Sequence, residues 1–337
     1  MGYGGDLIWS GVFRALRAHD GRPVLIANTP KLSDILAGRL YDRSANLADR
    51  TVFAGNPNVI FPAVVSKPAA LRWLDTAFAA LLKGTSLRRA YERWVVGRAI
   101  RRTSVDAPRM VHVDMLIHSY AERETRKNFV WKKGGHAIAT VSRGFGVLPE
   151  SVRPELYLAD SERRRVADIV AQSGISSPYV VLEPDSNREW FGDLRAWPRE
   201  RWIALATRLR NARPDITLVQ VGVPDSPTIP SAVDLRGQTT FREAAAVIQN
   251  SALFIGTEGG LMHAARAVDA RAVILWGGVT LPEFAGYPDS HRIVCHRVSC
   301  APCGQFGWCD NGHICMREIT VEETLSAVLD CLGSSNR

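Results

Sequence analysis

The sequence predicts an α/β protein built on parallel sheets, and three observations carry that expectation. From residue 165 onward, short apolar runs alternate with segments whose apolar residues recur at helical spacing, the pattern of strand–helix–strand units with right-handed crossovers. An apolar run at 252–255 stops abruptly at a glycine-rich turn, I-G-T-E-G-G-L-M-H-A-A over 255–265, and a helix begins there. The 337 residues also exceed the size at which one core usually keeps growing, so two domains are expected.

Taken in order, residues 6–17 have helical apolar spacing, P-V-L-I-A at 23–27 reads as a strand, and shorter strands are expected at 51–54, 58–61 and 110–113. Gly2, Gly4 and Gly5 look like the turn that follows a first strand, so either that strand is absent or the true start lies upstream. Pro149, Pro154 and the polar Asp160, Ser161 and Glu162 interrupt the pattern before a helix at 163–172, which puts a domain boundary near 150–162. Y-V-V-L-E at 179–183 reads as the next strand. The helix after it starts at Pro198, a residue suited to a first turn, with Trp202, Leu205, Ala206 and Leu209 on one face. Strands at 216–221, 252–255 and 272–276 then alternate with helices at 240–250 and 261–268. Thr240 with Glu243, and Thr320 with Glu323, form the reciprocal pair of a capping box. The last helix carries Val321, Leu325, Val328, Leu329 and Leu332 on one face and is expected to pack back across the domain interface.

Composition narrows the function classes. The hydrophobic fraction is 46% and no window reaches the 18 apolar residues of a membrane span. Together with an N-terminus lacking a charged segment, apolar core and cleavage site, this points to the cytoplasm. The net charge of +8 suits a protein that meets phosphates. Much of it lies at 83–102, where Lys83, Arg88, Arg89, Arg93, Arg98, Arg101 and Arg102 face a single acid, Glu92. Leu81, Leu82, Leu87, Tyr91, Trp94, Val95 and Ile100 are interleaved with them. That pattern fits a helix lying on an anionic membrane surface, and equally a solvated helix covering its own domain.

The turn after residue 255 has the build of an anion site. Gly256, Gly259 and Gly260 allow close backbone approach and positive φ. The helix that follows offers unpaired N–H groups and the positive end of its dipole. Glu258 and His263 flank the spot with hydroxyl-binding and proton-handling chemistry. An ordinary strand-to-helix turn with a buried, hydrogen-bonded His263 has the same residues, so the segment alone does not decide.

Several motifs coincide in order: G-G-D-L-I-W-S-G at 4–11, R-A-W-P-R-E-R-W at 195–202, D-L-R-G-Q-T-T-F-R-E at 234–243, the turn at 255–265, and a cysteine-containing segment at 300–319. In these the chain resembles glycosyltransferase family 9, the heptosyltransferases of lipopolysaccharide core assembly, strongly over 155–325 and more weakly over 20–150. The resemblance implies the GT-B fold, two Rossmann-like domains with parallel sheets facing a cleft. An acceptor-binding domain would span 1–158, a nucleotide-sugar-binding domain 159–318, and a C-terminal helix 319–337. It implies transfer of a sugar, heptose in that family, from a nucleotide diphosphate to a glycan acceptor such as lipopolysaccharide core, with inversion and without a catalytic metal. Such a transfer needs a base for the acceptor hydroxyl and a positive environment for the departing diphosphate.

Asp6 matches the family's catalytic base, and an N-cap is its plainer role. Arg195 stands where the family usually has a phosphate-contacting lysine, keeping the charge and adding a planar fork. Thr257, Glu258, Gly259, Gly260, Leu261 and His263 complete the implied donor site, with the amides of Gly259, Gly260 and Leu261 cradling the diphosphate. Two positions depart from the pattern: Glu258 replaces an aspartate and Gly259 a threonine or serine, which bears on the donor sugar. Asp225 either meets the ribose or sits in a surface turn. Trp197 and Trp202 are expected to pack. For the acceptor, Arg123, Arg126 and Lys127 are candidates to bind phosphate or carboxylate groups, and a solvated helix face is the alternative.

Cys300, Cys303, Cys309 and Cys315 are spaced closely enough for four thiolates to converge on a structural zinc or iron. Reduced thiols and a disulfide remain the other two states, the latter disfavoured in the cytoplasm. Two other function classes stay open: a nucleotide-sugar epimerase of the same fold, which needs no acceptor, and a basic nucleic-acid-binding protein with a cysteine knuckle, which would bind in a salt-dependent manner. The ordered glycine turns and Asp6 favour the transferase, cytoplasmic and peripheral to the inner membrane, with no nucleic-acid partner.

Overall fold

The computed structural model describes residues 3–27, 52–60, 109–112, 135–185, 192–304 and 308–333. It contains two sheets, both wholly parallel. The smaller has the order β2–β1–β3, from Val59–Ile60, Val24–Ala27 and Arg109–His112. Helix α1, Tyr3–Asp20, precedes it, so Gly4 and Gly5 lie inside a first helical turn instead of before it. Residues 52–53 form a helical turn where a strand was expected. Val52 and Phe53 point into the core from that turn, and two apolar residues in succession do not by themselves distinguish the two periods.

The larger sheet has six strands in the order β6–β5–β4–β7–β8–β9. They are β4 Tyr179–Glu183, β5 Thr217–Gln220, β6 Val233–Asp234, β7 Leu253–Thr257, β8 Ala272–Trp276 and β9 His291–Cys295. Every residue of β4, β7 and β8 is buried, because both faces of a parallel sheet are covered by its crossover helices. One face, with Val181, Phe254 and Ile274, shares a core with α5 (Phe241–Gln249) and α6 (Gly260–Ala267); α3 (Asp160–Gln172) packs on α5, and α1 packs on α6. The other, with Val180, Leu182, Leu253, Ile255, Val273 and Leu275, packs against α4 (Arg199–Ala212) and α9 (Val321–Gly333). Short helices α2 (Ala137–Gly144), α7 (Pro282–Ala285) and α8 (Ile314–Arg317) complete the described set.

Local chemistry sets the boundaries. Thr240 accepts from the Glu243 amide while the Glu243 carboxylate accepts from the Thr240 amide, a closed capping box worth about 1 kcal/mol at the start of α5. Trp197 and Trp202 pack edge to face, 5.3 Å apart, as core residues at the entry to α4. Helix α9 buries Val321, Ala327, Val328 and Leu332 on the six-stranded sheet beside α4.

The strand order fixes where a ligand would sit. From β4 the chain winds outward through β5 to β6, then returns to β7 on the other side of β4 and winds the opposite way. The crossovers therefore leave in opposite directions between β4 and β7, and the crevice at the carboxyl ends of those two strands is the switch point at which open parallel sheets bind ligands.

Candidate functional site

The glycine turn stands at that switch point. Strand β7 ends at Thr257, Gly259 caps α6, and Glu183, the last residue of β4, is in register with Gly256. None of the three glycines takes positive φ. Gly259 is extended at φ −172°, and Gly256 and Gly260 are needed for space instead. A Cβ on Gly256 would meet the Phe254 ring at 2.5 Å. One on Gly260 would lie 3.2 Å from the Phe241 ring and 3.7 Å from the Gly4 nitrogen.

That last approach brings a second helix start to the same place. Tyr3 stacks on Phe241 with ring centroids 4.3 Å apart, and a Cβ on Gly4 would come within 2.9 Å of His263 Cδ2. The N-terminal turns of α1 and α6 thus meet, one from before the small sheet and one from the switch point of the large one. Each helix start carries unpaired N–H groups and about half a positive charge. Asp6 lies buried in the first turn of α1, inside the helix rather than at its cap.

Arg195 reaches the turn from a 3-10 segment, Gly192–Arg195, and donates to Glu258 Oε1 at 2.8 Å. Thr280 Oγ1 donates to the same oxygen at 2.9 Å, on a loop held by the Trp276 indole N–H bonded to the Thr280 carbonyl. Both charged side chains are largely buried, 14% and 5% exposed, which makes this a desolvated ion pair. Burial lowers the Arg195 pKa, with Glu258 opposing that shift. Among the described residues Glu258 Oε2 and Thr257 Oγ1 are buried without a hydrogen-bond partner, as is Glu183 Oε2. Burial, reinforced by Asp185, pushes the Glu183 carboxyl well above the usual carboxylate range.

His263 is buried in the first turns of α6, its Nδ1 2.6 Å from the Tyr287 hydroxyl. Burial lowers its pKa to about 3, and His136, Arg195 and His291 push in the same direction. His136 and His291 also pack on the Tyr287 ring and are held near 4, first by burial. All three imidazoles are therefore neutral at pH 7.

A family model, glycosyltransferase family 9 (heptosyltransferase), matches residues 99–307. The chain belongs to glycosyltransferase family 9. A search of curated proteins finds no match. Among solved structures it is similar to a family 9 glycosyl transferase from Veillonella parvula DSM 2008, at 15% identity and TM-score 0.63 over 99% of this chain and 95% of that one. It is also similar to E. coli ADP-heptose lps heptosyltransferase II, at 16% identity and TM-score 0.58 over 100% and 98%. A third likeness is to the iron-containing dodecameric glycosyltransferase TibC from enterotoxigenic E. coli H10407, at 18% identity and TM-score 0.54 over 93% and 77%. TibC is also solved in complex with ADP-D-beta-D-heptose, at 16% identity and TM-score 0.53 over the same shares. The protein is a glycosyltransferase of GT-B fold.

In this transferase Cys300, Cys303, Cys309 and Cys315 all line one small cavity, together with Leu194, Gly278 and His313. All are free thiols, and burial pushes the Cys315 thiol up. Among the described residues no three His, Cys, Asp or Glu side chains are arranged to hold a metal ion. The cysteine segment braces the site: the Cys303 and Gly304 amides donate to the Gly278 and Val279 carbonyls, just before Thr280, and Cys303 and Cys309 pack on Leu194, just before Arg195. A larger cavity of about 430 Å³ opens beside the start of α4, between Asp185, Asp193, Arg199, Arg201 and Arg317.

The fold brings Asp6, Arg195, Thr257, Glu258, Gly259, Gly260, Leu261 and His263 to one region. Asp225 is exposed in a surface turn. Arg123, Arg126 and Lys127, and the basic stretch at 83–102, lie outside the described residues. Sequence reasoning passed over Thr280, Tyr287, His136 and Glu183. Only Glu183 left a signal, an acid ending an otherwise apolar buried strand. No helix among the described residues is long and apolar enough to cross a membrane.

Proposed function

We propose that the protein is an inverting glycosyltransferase that moves a sugar from a nucleotide-diphosphate donor to a glycan acceptor. The observation that carries this reading is the meeting of two helix N-termini at the switch point, where Gly4 and Gly260 approach with Asp6 in the first turn of α1. A diphosphate seated there would face the amides of Gly259, Gly260 and Leu261, with Thr257 and His263 beside it and Arg195 within reach. Positive ends of two helices stabilise the charge that grows on the diphosphate as the glycosidic bond breaks. Asp6 takes the proton of the attacking acceptor hydroxyl on the opposite side of the sugar, which inverts the anomeric carbon.

The donor is read as an ADP-linked heptose, in keeping with the ADP-heptose named for its structural neighbours. Glu258 is its specificity element, since a longer carboxylate held by Arg195 leaves only Oε2 to meet a hydroxyl. The acceptor is a lipopolysaccharide-core type glycan, bound through Arg123, Arg126 and Lys127, at the cytoplasmic face of a membrane touched by the 83–102 stretch. The acceptor domain spans 1–158, the donor domain 159–318 and the terminal helix 319–337. The four cysteines form a structural zinc or iron site. The four thiols line one cavity and supply the ligand types that zinc and iron take, but they do not stand in a ligating arrangement, so a bound ion would have to draw them together; TibC is named as iron-containing. Such an ion would fix the loops carrying Arg195 and Thr280 and take no part in the transfer.

The test is a transfer assay read by mass spectrometry, with ADP-, GDP-, UDP- and dTDP-linked sugars and a truncated lipopolysaccharide core. Wild-type protein is expected to form one product with inverted configuration. Asp6→Asn is expected to lower turnover by at least about a thousandfold, within the range assigned to a missing general base, with donor affinity nearly unchanged. Substantial residual turnover in that variant removes Asp6 as the base, and sugar conversion without acceptor would replace the transferase by an epimerase.

A further inference from the structure

Tyr287 follows α7 and is fully buried, and its hydroxyl has one hydrogen-bond partner among the described residues, His263 Nδ1 at 2.6 Å. A buried phenol keeps its proton, since burial pushes its pKa far up, and that proton needs an acceptor. If Nδ1 carried hydrogen, the two donors would face each other and the phenol proton would be stranded. Nδ1 is therefore the acceptor. A neutral imidazole with a bare Nδ1 holds its single hydrogen on Nε2.

The Nε2 edge faces the shared helix starts. A Cβ on Gly4 would lie 2.9 Å from His263 Cδ2 and 3.4 Å from Nε2, so the ring edge lies directly against the first turn of α1. The Tyr287 ring is clamped on three sides. His263 and His291 stand edge-on at 5.6 Å, and His136 packs tilted at 5.1 Å from the segment before α2. The charged and titratable groups acting on this cluster are Arg195 from the 3-10 segment, Arg266 from α6, Asp289 from the turn before β9, and the three histidines themselves.

We propose that Tyr287 is a positioning residue that holds His263 as the neutral Nε2–H tautomer, so that an uncharged ring presents a hydrogen-bond donor to the diphosphate of the sugar donor. The donor role rests on the diphosphate reading above, whereas the tautomer assignment rests on geometry alone. An uncharged donor adds a directional hydrogen bond where Arg195 and two helix termini already supply positive charge. It also avoids placing an imidazolium beside Arg195 in a buried site.

The experiment has two arms on the full-length protein. Nitrogen-15 NMR of histidine-labelled protein, with His263→Gln used to assign the ring, reads the tautomer without any ligand. Wild type is expected to show a bare Nδ1 and a protonated Nε2, and Tyr287→Phe, which keeps the ring packing, a mixture of both tautomers. Calorimetry with ADP and with inorganic pyrophosphate reads the donor role. Tyr287→Phe is expected to weaken ADP about tenfold, the scale of a hydrogen bond to a charged group. In a His263→Gln background, where the amide supplies its own N–H near the Nε2 position, the same change is expected to cost nothing further. An unchanged tautomer in Tyr287→Phe, or equal ADP losses in both backgrounds, overturns the proposal. Wild-type protein that ignores both ADP and pyrophosphate refutes the diphosphate reading and the donor role with it, while the NMR spectrum separately decides whether Tyr287 sets the ring.

Discussion

Replacing Arg195 by methionine keeps most of the side-chain volume and removes the charge facing Glu258. The wild-type carboxylate is 5% exposed and its Oε1 takes bonds from both Arg195 and Thr280. After the exchange only the Thr280 hydroxyl remains, and a buried carboxylate without its cation costs about 3–5 kcal/mol. Removing the charge on both sides is far milder, because an ion pair and a neutral pair of similar volume differ by little once desolvation is counted. Arg195→Met/Glu258→Gln is therefore expected within about 1 kcal/mol of wild type. Urea denaturation at pH 7 gives the comparison. Equal stability of the single variant and wild type, or a deficit that persists in the double variant, would refute the reasoning that this pair is a desolvated, mutually dependent unit.

Three further outcomes follow from the same geometry. Gly4→Ala places a methyl 2.9 Å from His263 Cδ2, and because Tyr287 holds that ring the start of α1 must retreat; a loss of about 1–3 kcal/mol in stability and at least about tenfold in ADP affinity is expected by denaturation and calorimetry. His291 has both ring nitrogens buried without a partner among the described residues and a pKa lowered to about 4 by burial, so the unfolded chain takes up its proton near 6.5 while the folded one does not. Stability from this ring is complete above pH 6.5 and falls as pH drops toward 4. His291→Phe should reduce that slope by about 1.4 kcal/mol per pH unit at little cost at pH 7, and an unchanged slope would contradict the burial argument. Elemental analysis of purified protein is expected to find about one zinc or iron per chain, lost in Cys303→Ser together with Cys309→Ser; metal-free protein with four titratable thiols would contradict the structural ion.

The large sheet was legible because its central strands are buried on both faces. Such strands must be continuous apolar runs, and 179–183, 252–255 and 272–276 read that way, although the middle strand runs on through Gly256 to Thr257, which read as part of the turn. The capping pair at Thr240 was equally visible, since its partners are three residues apart. Strand β6, two residues long, and β9, opening on His291 and Arg292 at the sheet edge, have no such signature. The glycine turn could be seen in the chain, but not the reason for its glycines, which is the approach of Phe241, Tyr3 and Gly4 from other elements. Pairings that define the site join Arg195 to Glu258 across 63 positions and His263 to Tyr287 across 24, and no local pattern encodes them. The strand order, and with it the switch point between β4 and β7, likewise belongs to the assembled sheet.

The central claim is that a nucleotide-sugar diphosphate sits where the starts of α1 and α6 meet. A crystal structure of the protein with ADP tests it most directly. The diphosphate is expected beside the Gly4–Gly260 contact, within hydrogen-bonding distance of the Gly260 and Leu261 amides and of His263 Nε2. ADP bound with its phosphates in the cavity beside Arg199, Arg201 and Arg317, leaving the two helix starts empty, would contradict it.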